Sequence, residues 1–169
     1  MARYLIANGP MQTTAAFAQV TTGTAIKTML QVKPSATIGL HIVEWGYSFD
    51  GATSVSGLIE LIETDVAATV TASVANDITK YDAAALMGGD PTTNLIQVGT
   101  TSTGYTSSAE GTTTASRNLD APAEVYAPAV FIKQFPLGER PFVQINKFAR
   151  VRVTFGTAVN MYCYMIVEV

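Results

Sequence analysis

The fold is decided by residues 148–169, which read FARVRVTFGTAVNMYCYMIVEV. Apolar and polar side chains alternate on both sides of a loop, Gly156–Asn160. The apolar positions are Ala149, Val151, Val153 and Phe155 before the loop, and Met161, Cys163, Met165, Val167 and Val169 after it. A period of two is typical of a β-strand that buries one face. The stretch therefore predicts two strands.

The same residues predict how these two strands pair. If Phe155 pairs with Met161 across the loop, both apolar sets share one face and Arg152 lies opposite Tyr164 on the other. A slip of one residue would put Val153 on the wrong side of the sheet, so the pattern favours this register. We expect an antiparallel hairpin that closes a sheet.

Arg150 and Arg152 would then alternate with Tyr162 and Tyr164 on the second face of the hairpin. One interpretation is cross-strand cation–π support on a face in contact with solvent. The other is a subunit contact, because Tyr and Arg are enriched in interface hot spots. Both interpretations stay open from the sequence.

Other strand-like segments lie along the rest of the chain, separated by Gly, Pro, Asn and Asp turn signals. They are residues 2–7, 24–33, 38–49, 57–64, 67–74, 95–99, 129–135 and 141–145. About eight or nine strands at spacings of roughly ten residues predict an all-β chain. We expect one β-sandwich domain spanning residues 1–169, jelly-roll-like, with at most one short helix.

Three segments have patterns with more than one interpretation. Residues 1–20 contain either a short first strand or an extended N-terminal arm. Asn76–Met87 is a candidate for one or two helical turns, with Asn76 or Asp77 as the cap. Thr100–Asn118 is low in complexity, and predicts either a long surface loop or a threonine-rich edge strand.

The composition limits the partners of the chain. Of 169 residues, 48% are hydrophobic and only 14% are charged, so much of the surface must be neutral. The formal net charge is −3, which gives no basic footprint for nucleic acid. No window approaches the length of a membrane span. Neither nucleic acid nor a membrane is expected as a partner.

The residues that usually carry chemistry are few. His41 is the single histidine and Cys163 the single cysteine, and both lie in apolar strand patterns. We expect a packed, structural His41 and a buried Cys163. No nucleophile elbow, phosphate loop or zinc ligand set is present. These features predict no catalytic residues, no cofactor and no metal.

Two sets of carboxylates are candidates for a catalytic pair or a calcium site, with ordinary surface acids as the alternative. Glu44 and Glu60 lie on neighbouring predicted strands, and a glycosidase needs only two carboxylates. However, no cluster of aromatic and amide residues accompanies them. Asp50, Asp65 and Asp77 have a spacing that is not diagnostic of calcium. We therefore expect a protein that is not an enzyme.

Several segments resemble those of small virion proteins of tailed bacteriophages, especially phages of actinobacterial hosts. These segments are residues 4–11 (YLIANGPM), 43–51 (VEWGYSFDG), 103–112 (TGYTSSAEGT), 133–138 (KQFPLG), 150–153 (RVRV) and 161–164 (MYCY). The resembling segments are spread along most of the chain but contain no catalytic motif. It implies a capsid decoration or minor head protein.

The resemblance also implies partners and a location. Such proteins decorate or cement the capsid shell from outside, often as trimers, and commonly reach the shell with an N-terminal arm. The expected partners are the major capsid protein and further copies of this chain. The start, Met1-Ala2-Arg3-Tyr4-Leu5-Ile6, is not a signal peptide, so we expect synthesis in the host cytoplasm and a final place on the virion exterior.

The candidate interface combines this arm with the aromatic and basic residues near the end of the chain. Its members are Arg3, Tyr4, Leu5, Pro10, Met11, Phe135, Leu137, Arg150, Arg152, Tyr162 and Tyr164. Phe135 and Leu137 belong to an apolar segment that suits either core or interface. The alternative function is a tail, fibre or lectin-like module that binds host glycan through Thr100–Asn118.

Overall fold

A computed structural model describes residues 2–81 and 95–169, and it places fifteen β-strands in them. The strands are β1 (Arg3–Ala7), β2 (Val20–Thr21), β3 (Ile26–Pro34), β4 (Leu40–Asp50), β5 (Gly57–Thr64), β6 (Thr69–Ala72), β7 (Thr79–Lys80), β8 (Ile96–Gln97), β9 (Gly104–Ala109), β10 (Ser116–Asn118), β11 (Ala123–Val125), β12 (Val130–Gln134), β13 (Phe142–Val143), β14 (Phe148–Phe155) and β15 (Asn160–Glu168). Nine of them have four residues or more. No helix among these residues is long and apolar enough to cross a membrane.

The long strands pair as nested antiparallel partners. β1 pairs with β15, β3 with β14, β4 with β12, and β5 with β10 and β11. Strands near the start of the chain therefore pair with strands near its end, and strands closer to the middle of the chain pair with one another. A long hairpin wound up in this way is a jelly roll. The predicted all-β sandwich is confirmed.

Two sheets result from this winding. Sheet A has the order β12-β4-β15-β1-β7, and sheet B has the order β10-β5-β14-β3-β9-β6. The segment between β5 and β10 supplies β6 and β9, which widen sheet B beyond β3, and β7, which extends sheet A beyond β1. Thr100–Asn118 is therefore not one long loop. Its β9 lies between β3 and β6, and β10 at its end is an edge strand of sheet B beside β5.

The apolar residues of the two sheets face each other and form one core. The alternating positions of the C-terminal stretch all contribute to it: Ala149, Val151, Val153, Phe155, Met161, Cys163, Met165 and Val167 are each no more than 1% exposed. Cys163 is a free, buried thiol whose pKa is raised by burial, as expected for a small apolar side chain. The faces predicted from alternation are therefore correct.

The predicted hairpin at the end of the chain is wrong. β14 pairs with β3 and β5 in sheet B, while β15 pairs with β4, β1 and β2 in sheet A. Residues 156–159 thus carry the chain from one sheet to the other instead of making a turn within one sheet. Phe155 and Met161 face the same core from opposite sheets, which satisfies the alternation as well as a hairpin would.

A β-bulge in β4 explains the second difference from the sequence prediction. Ile166 lies opposite Glu44 but Val167 lies opposite Ile42, so the alternation shifts by one residue at Val43. Leu40 and Ile42 are consequently in the core, as are Trp45 and Tyr47 beyond the bulge. His41 is exposed instead of packed, and its ring lies 4.9 Å from that of Phe142.

The start of the chain is a strand of sheet A and not a free arm. β1 lies between β15 and β7, and Tyr4 and Ile6 are at most 1% exposed. Residues 8–19 then leave the sheet before β2 returns to β15.

The helix predicted for Asn76–Met87 is described only in part, because residues 82–87 lie outside the described part of the chain. Residues 75–77 form a 3-10 turn, in which the Asp77 carboxylate accepts a hydrogen bond from the Val74 N–H.

Candidate functional site

The outer face of sheet B is covered by the chain itself. The link from β5 to β6, residues 65–68, must pass over β14 and β3 to reach the far side of the sheet. Arg150 and Gln31 lie opposite each other on β14 and β3, directly beneath this crossover. Both side chains are fully buried although they point away from the core.

Gln31 and Arg150 attach the crossover to the sheet. The Gln31 amide accepts from the Ala68 N–H at 2.8 Å and donates to the Ser102 carbonyl at 2.6 Å. The Arg150 guanidinium donates to the carbonyls of Val66 and Glu110 and lies 3.5 Å from the Glu110 carboxylate. Burial lowers the pKa of Arg150 and the nearby Glu110 raises it. Most polar groups of these two side chains are bonded within the chain, although the Arg150 Nε has no partner among the described residues, and the crossover covers them from outside.

The outer face of sheet A is open by contrast, most of all at its β12 edge. β12 pairs with β4 and has no second neighbour among the described strands. Four large apolar side chains in this strand or close to it in sequence are more than 60% exposed: Tyr126, Val130, Ile132 and Leu137. These four residues are called the apolar edge below, and no other large apolar residue of the described chain is as exposed.

Each side chain of the apolar edge has a simple structural origin. Val130 and Ile132 lie on the outer face of β12, while Phe131 between them points inward and stacks on Tyr47 at a ring distance of 5.1 Å. Leu137 lies in a turn closed by the Glu139 N–H and the Pro136 carbonyl, in which Gly138 has a φ of 95°. The apolar segment 131–138 therefore contributes to both core and surface.

A loop formed by residues 8–19 lies over the opposite part of sheet A. Its ends are held by β15, where the buried Asn8 side chain donates to the Met161 carbonyl at 3.0 Å and accepts from the Cys163 N–H at 2.9 Å. Phe17 holds the middle, because its ring packs edge-on against Tyr162 at 4.9 Å. A Cβ on Gly9 would lie 2.6 Å from this ring, so glycine permits the close approach. This compact loop is fixed by its own side chains.

The Phe17–Tyr162 pair separates two depressions. The first is lined mainly by small and apolar residues of β1 and the loop: Leu5, Ala7, Gly9, Pro10, Met11, Gln12, Phe17, Asp77, Thr79 and Tyr162. The second, called the Tyr162 cleft below, is lined by Gln12, Phe17, Ala18, Gln19, Ser48, Asp50, Asn160 and Tyr162 and has a volume of about 470 Å³. The cleft is mostly polar, and among its described lining residues Asp50 alone is charged at neutral pH.

Tyr164 occupies the middle of this sheet face. Its hydroxyl donates to the Glu44 carboxylate at 2.6 Å, and its ring covers Gly46, where a Cβ would meet the ring at 2.8 Å. Burial and the hydrogen bond to Glu44 raise the pKa of Tyr164. Glu60 is far from this group, because it lies on β5 of sheet B and pairs with Arg152 at 2.9 Å. The two carboxylates weighed as a catalytic pair therefore lie on different sheets.

The structure brings together only part of the predicted interface. Leu5, Pro10, Met11 and Tyr162 line one depression, with Tyr164 beside Tyr162 at a ring distance of 6.0 Å. Leu137 is exposed in the turn after β12, and Arg3 is half-exposed and paired with Glu168 at 2.7 Å. These residues remain on the surface of sheet A or at its margin.

The other predicted interface residues are elsewhere. Tyr4 and Arg150 are buried within the chain, and Phe135 is 7% exposed and packs in the core. Arg152 is on the outer face of sheet B. The predicted ladder of arginines and tyrosines is therefore wrong, since β14 and β15 are in different sheets and their outward side chains point in opposite directions.

The sequence interpretation missed several residues of these surfaces. Val130 and Ile132 lie inside a predicted strand but are not among the predicted interface residues, although both are β-branched and alternate with Phe131 and Lys133. Phe17 is the only aromatic residue in the threonine- and alanine-rich segment 11–23, which was a usable signal. Asp50, Gln19 and Asn160 are distant in sequence, and nothing in the sequence showed that they meet.

Among residues 2–81 and 95–169, no three His, Cys, Asp or Glu side chains cluster closely enough to hold a metal ion. Asp65 and Asp77, for example, accept hydrogen bonds from separate loops. No family model, no curated protein and no solved structure matches the chain. The resemblance to phage head proteins therefore stays a prediction.

Proposed function

We propose that this chain is a structural virion protein that binds the outer surface of a phage capsid and stabilises it. The observation that carries the proposal is the apolar edge, because four large apolar side chains are held in solvent beside a strand with one open side. Exposed apolar groups of this kind mark protein–protein contacts, and open strand edges pair with other chains. The resemblance supplies the kind of partner.

The contact chemistry is consistent with a neutral protein surface. Val130 and Ile132 stand on one face of the edge strand, and Leu137 extends the apolar surface beyond its end. Covering such side chains contributes about 25 cal/mol for each Å² of apolar area removed from water. Self-association into a trimer and attachment to the shell are the two contacts that this surface would serve.

Stabilisation of the shell follows from mass action. A protein that binds the assembled capsid and not its separated subunits lowers the free energy of the assembled state, and the effect grows with concentration. No catalytic step is needed. The tail or fibre alternative is less favoured, because about half of its proposed recognition loop, Thr100–Asn118, belongs to β9 and β10.

The test is co-sedimentation with capsid shells assembled without this protein, together with light scattering of the free protein. We expect wild type to form trimers and to sediment with shells, and Ile132→Lys to do neither. Ile38→Lys is the matched control, because Ile38 is 50% exposed but lies in the loop before β4. A monomeric wild type that leaves shells unbound would refute the proposal, and so would equal binding by both variants.

A further inference from the structure

We propose that the Tyr162 cleft is a binding site for a neutral carbohydrate. This site is separate from the apolar edge, since it shares none of the four residues Tyr126, Val130, Ile132 and Leu137. It also differs from the recognition loop predicted from sequence at Thr100–Asn118.

The first argument is the aromatic wall of the cleft. Tyr162 and Phe17 are half-buried, and their rings stand edge to face at 88°, so part of each ring still borders the cleft. A sugar ring has one face lined by C–H groups that packs on aromatic rings, with hydroxyls around its rim. An aromatic surface beside hydrogen-bonding groups suits that division, because apolar contact and orientation then come from different parts of the ligand.

The second argument is hydrogen-bonding capacity that the fold does not use. The side chains of Gln12, Gln19, Ser48, Asp50 and Asn160 surround the rings, and none makes a hydrogen bond to another residue within the described part of the chain. Their equivalents on sheet B, such as Gln31, are fully bonded. Amides, a hydroxyl and a carboxylate together offer both donors and acceptors to sugar hydroxyls.

Charge selects the class of carbohydrate. Within residues 2–81 and 95–169, the side chains that line the cleft include Asp50 but no lysine, arginine or histidine. A phosphate, a nucleic acid or an acidic sugar would meet a carboxylate without a cationic partner, which is unfavourable. An apolar peptide would leave the amides unsatisfied. A neutral, hydroxyl-rich ligand satisfies both the rings and the polar side chains.

The position of the cleft suits a chain of sugars more than a single unit. It is open and lies between the loop 8–19 and the ends of β4 and β15, where Asp50 and Asn160 are paired residues. Both of these side chains are exposed, so a ligand can extend past them without moving the backbone. We therefore expect an oligosaccharide with weak affinity per unit, strengthened when several copies of the protein bind together.

The test is an array of neutral and sialylated oligosaccharides, followed by saturation-transfer NMR with the best neutral hit. We expect neutral hits for wild type, and binding about tenfold weaker in both Tyr162→Ala and Asn160→Ala. Tyr162→Phe keeps the ring, so it should retain most of the binding. Gln134→Ala is the matched control, because Gln134 is an exposed amide on the same sheet outside the cleft.

The two proposals fail separately. An array without neutral hits, or neutral hits that Tyr162→Ala and Asn160→Ala leave unchanged, would overturn the carbohydrate site whatever happens with capsid shells. Hits confined to sialylated sugars would also overturn it. Ile132→Lys should bind the neutral sugar like wild type, since Ile132 lies outside the cleft.

Discussion

Strands of both sheets direct alternate side chains outward, but the chain covers these side chains on sheet B and leaves them exposed on sheet A. On sheet B, Arg150 and Gln31 point outward and are fully buried beneath the 65–68 crossover, and each makes a hydrogen bond to it. On sheet A, Val130 and Ile132 also point outward but remain mostly in solvent. What differs is whether another piece of the chain passes over the strand.

This difference indicates which surface is left for partners. The short connection between β5 and β6, residues 65–68, covers sheet B, so the polar side chains beneath it contribute to stability. The loop 8–19 covers sheet A only near Tyr162, which leaves the apolar edge and the Tyr162 cleft open. Substitutions on sheet B should therefore change stability, and substitutions on sheet A should change binding.

The largest effect is expected for Arg150→Ala on sheet B. Removing the guanidinium leaves the Val66 and Glu110 carbonyls without their buried donor. It also takes the cation away from the Glu110 carboxylate, which keeps its hydrogen bonds from Thr28 and Ser107. We expect a loss of about 3–5 kcal/mol in the free energy of unfolding, measured by urea denaturation. Arg152→Ala is the control, since its ion pair with Glu60 is partly exposed and should contribute no more than about 1 kcal/mol. Equal losses of unfolding free energy in the two variants would show that burial beneath the crossover adds nothing to the contribution of Arg150.

A smaller loss is expected for Gln31→Ala. The substitution leaves the Ala68 N–H and the Ser102 carbonyl without partners beneath the crossover. We expect a decrease of about 2 kcal/mol in the free energy of unfolding. Gln134→Ala on the open face of sheet A should stay within about 0.5 kcal/mol of wild type. A neutral Gln31→Ala would mean that water replaces the missing amide and that the crossover is loosely attached.

Acid should weaken the crossover through Asp65, at its start. Hydrogen bonds from the Thr114 hydroxyl and the Ala115 N–H lower the pKa of Asp65 from 3.8 to about 2. Because the pKa is lower in the folded state, this stabilisation is complete above the unfolded value and is lost as the pH falls from about 4 towards 2. Urea midpoints measured between pH 5 and pH 2 should fall less steeply for Asp65→Asn than for wild type.

Asp50→Asn provides the comparison for this pH dependence. Asp50 is exposed in the Tyr162 cleft and makes no hydrogen bond within the described chain. Asp50→Asn therefore controls for the loss of one negative charge without the loss of such hydrogen bonds. If Asp65→Asn and wild type fall in parallel instead, the hydrogen bonds of Asp65 do not survive in solution.

The smallest effect on stability is expected for Val130→Thr and Ile132→Thr at the apolar edge. Both positions are mostly in solvent, so each substitution should change the free energy of unfolding by less than about 0.5 kcal/mol. The same variants should weaken self-association measured by light scattering, because the apolar contact area is reduced. A large loss of stability in the monomer would show that these side chains pack within the chain and not against a partner.

Much of the fold was predictable because side-chain alternation is a local property of a strand. The sequence correctly predicted an all-β jelly roll, the extent of β5, and the inward faces of β14 and β15. It failed at β4, where one extra residue at Val43 shifts the alternation and exposes His41. A bulge leaves no clear trace in the order of apolar residues when both strand faces are apolar.

The candidate surfaces were less predictable. Leu5, Pro10, Met11 and Tyr162 were chosen from sequence and do lie together, but Tyr4 and Arg150 are buried. The cleft depends on Asp50 and Asn160, which are 110 positions apart and meet only because β4 pairs with β15. Sequence spacing carries no information about such a pairing.

The sequence by itself determined which sides of β14 and β15 face the core, because burial of alternate apolar side chains is favourable in almost any pairing. It did not determine which strand lies beside which. β14 and β15 satisfy the same alternation as a hairpin or as members of two facing sheets, and only the winding of the whole chain selected the second arrangement. That winding also decided that Arg150 is covered and Ile132 is not, since coverage depends on where distant connections cross.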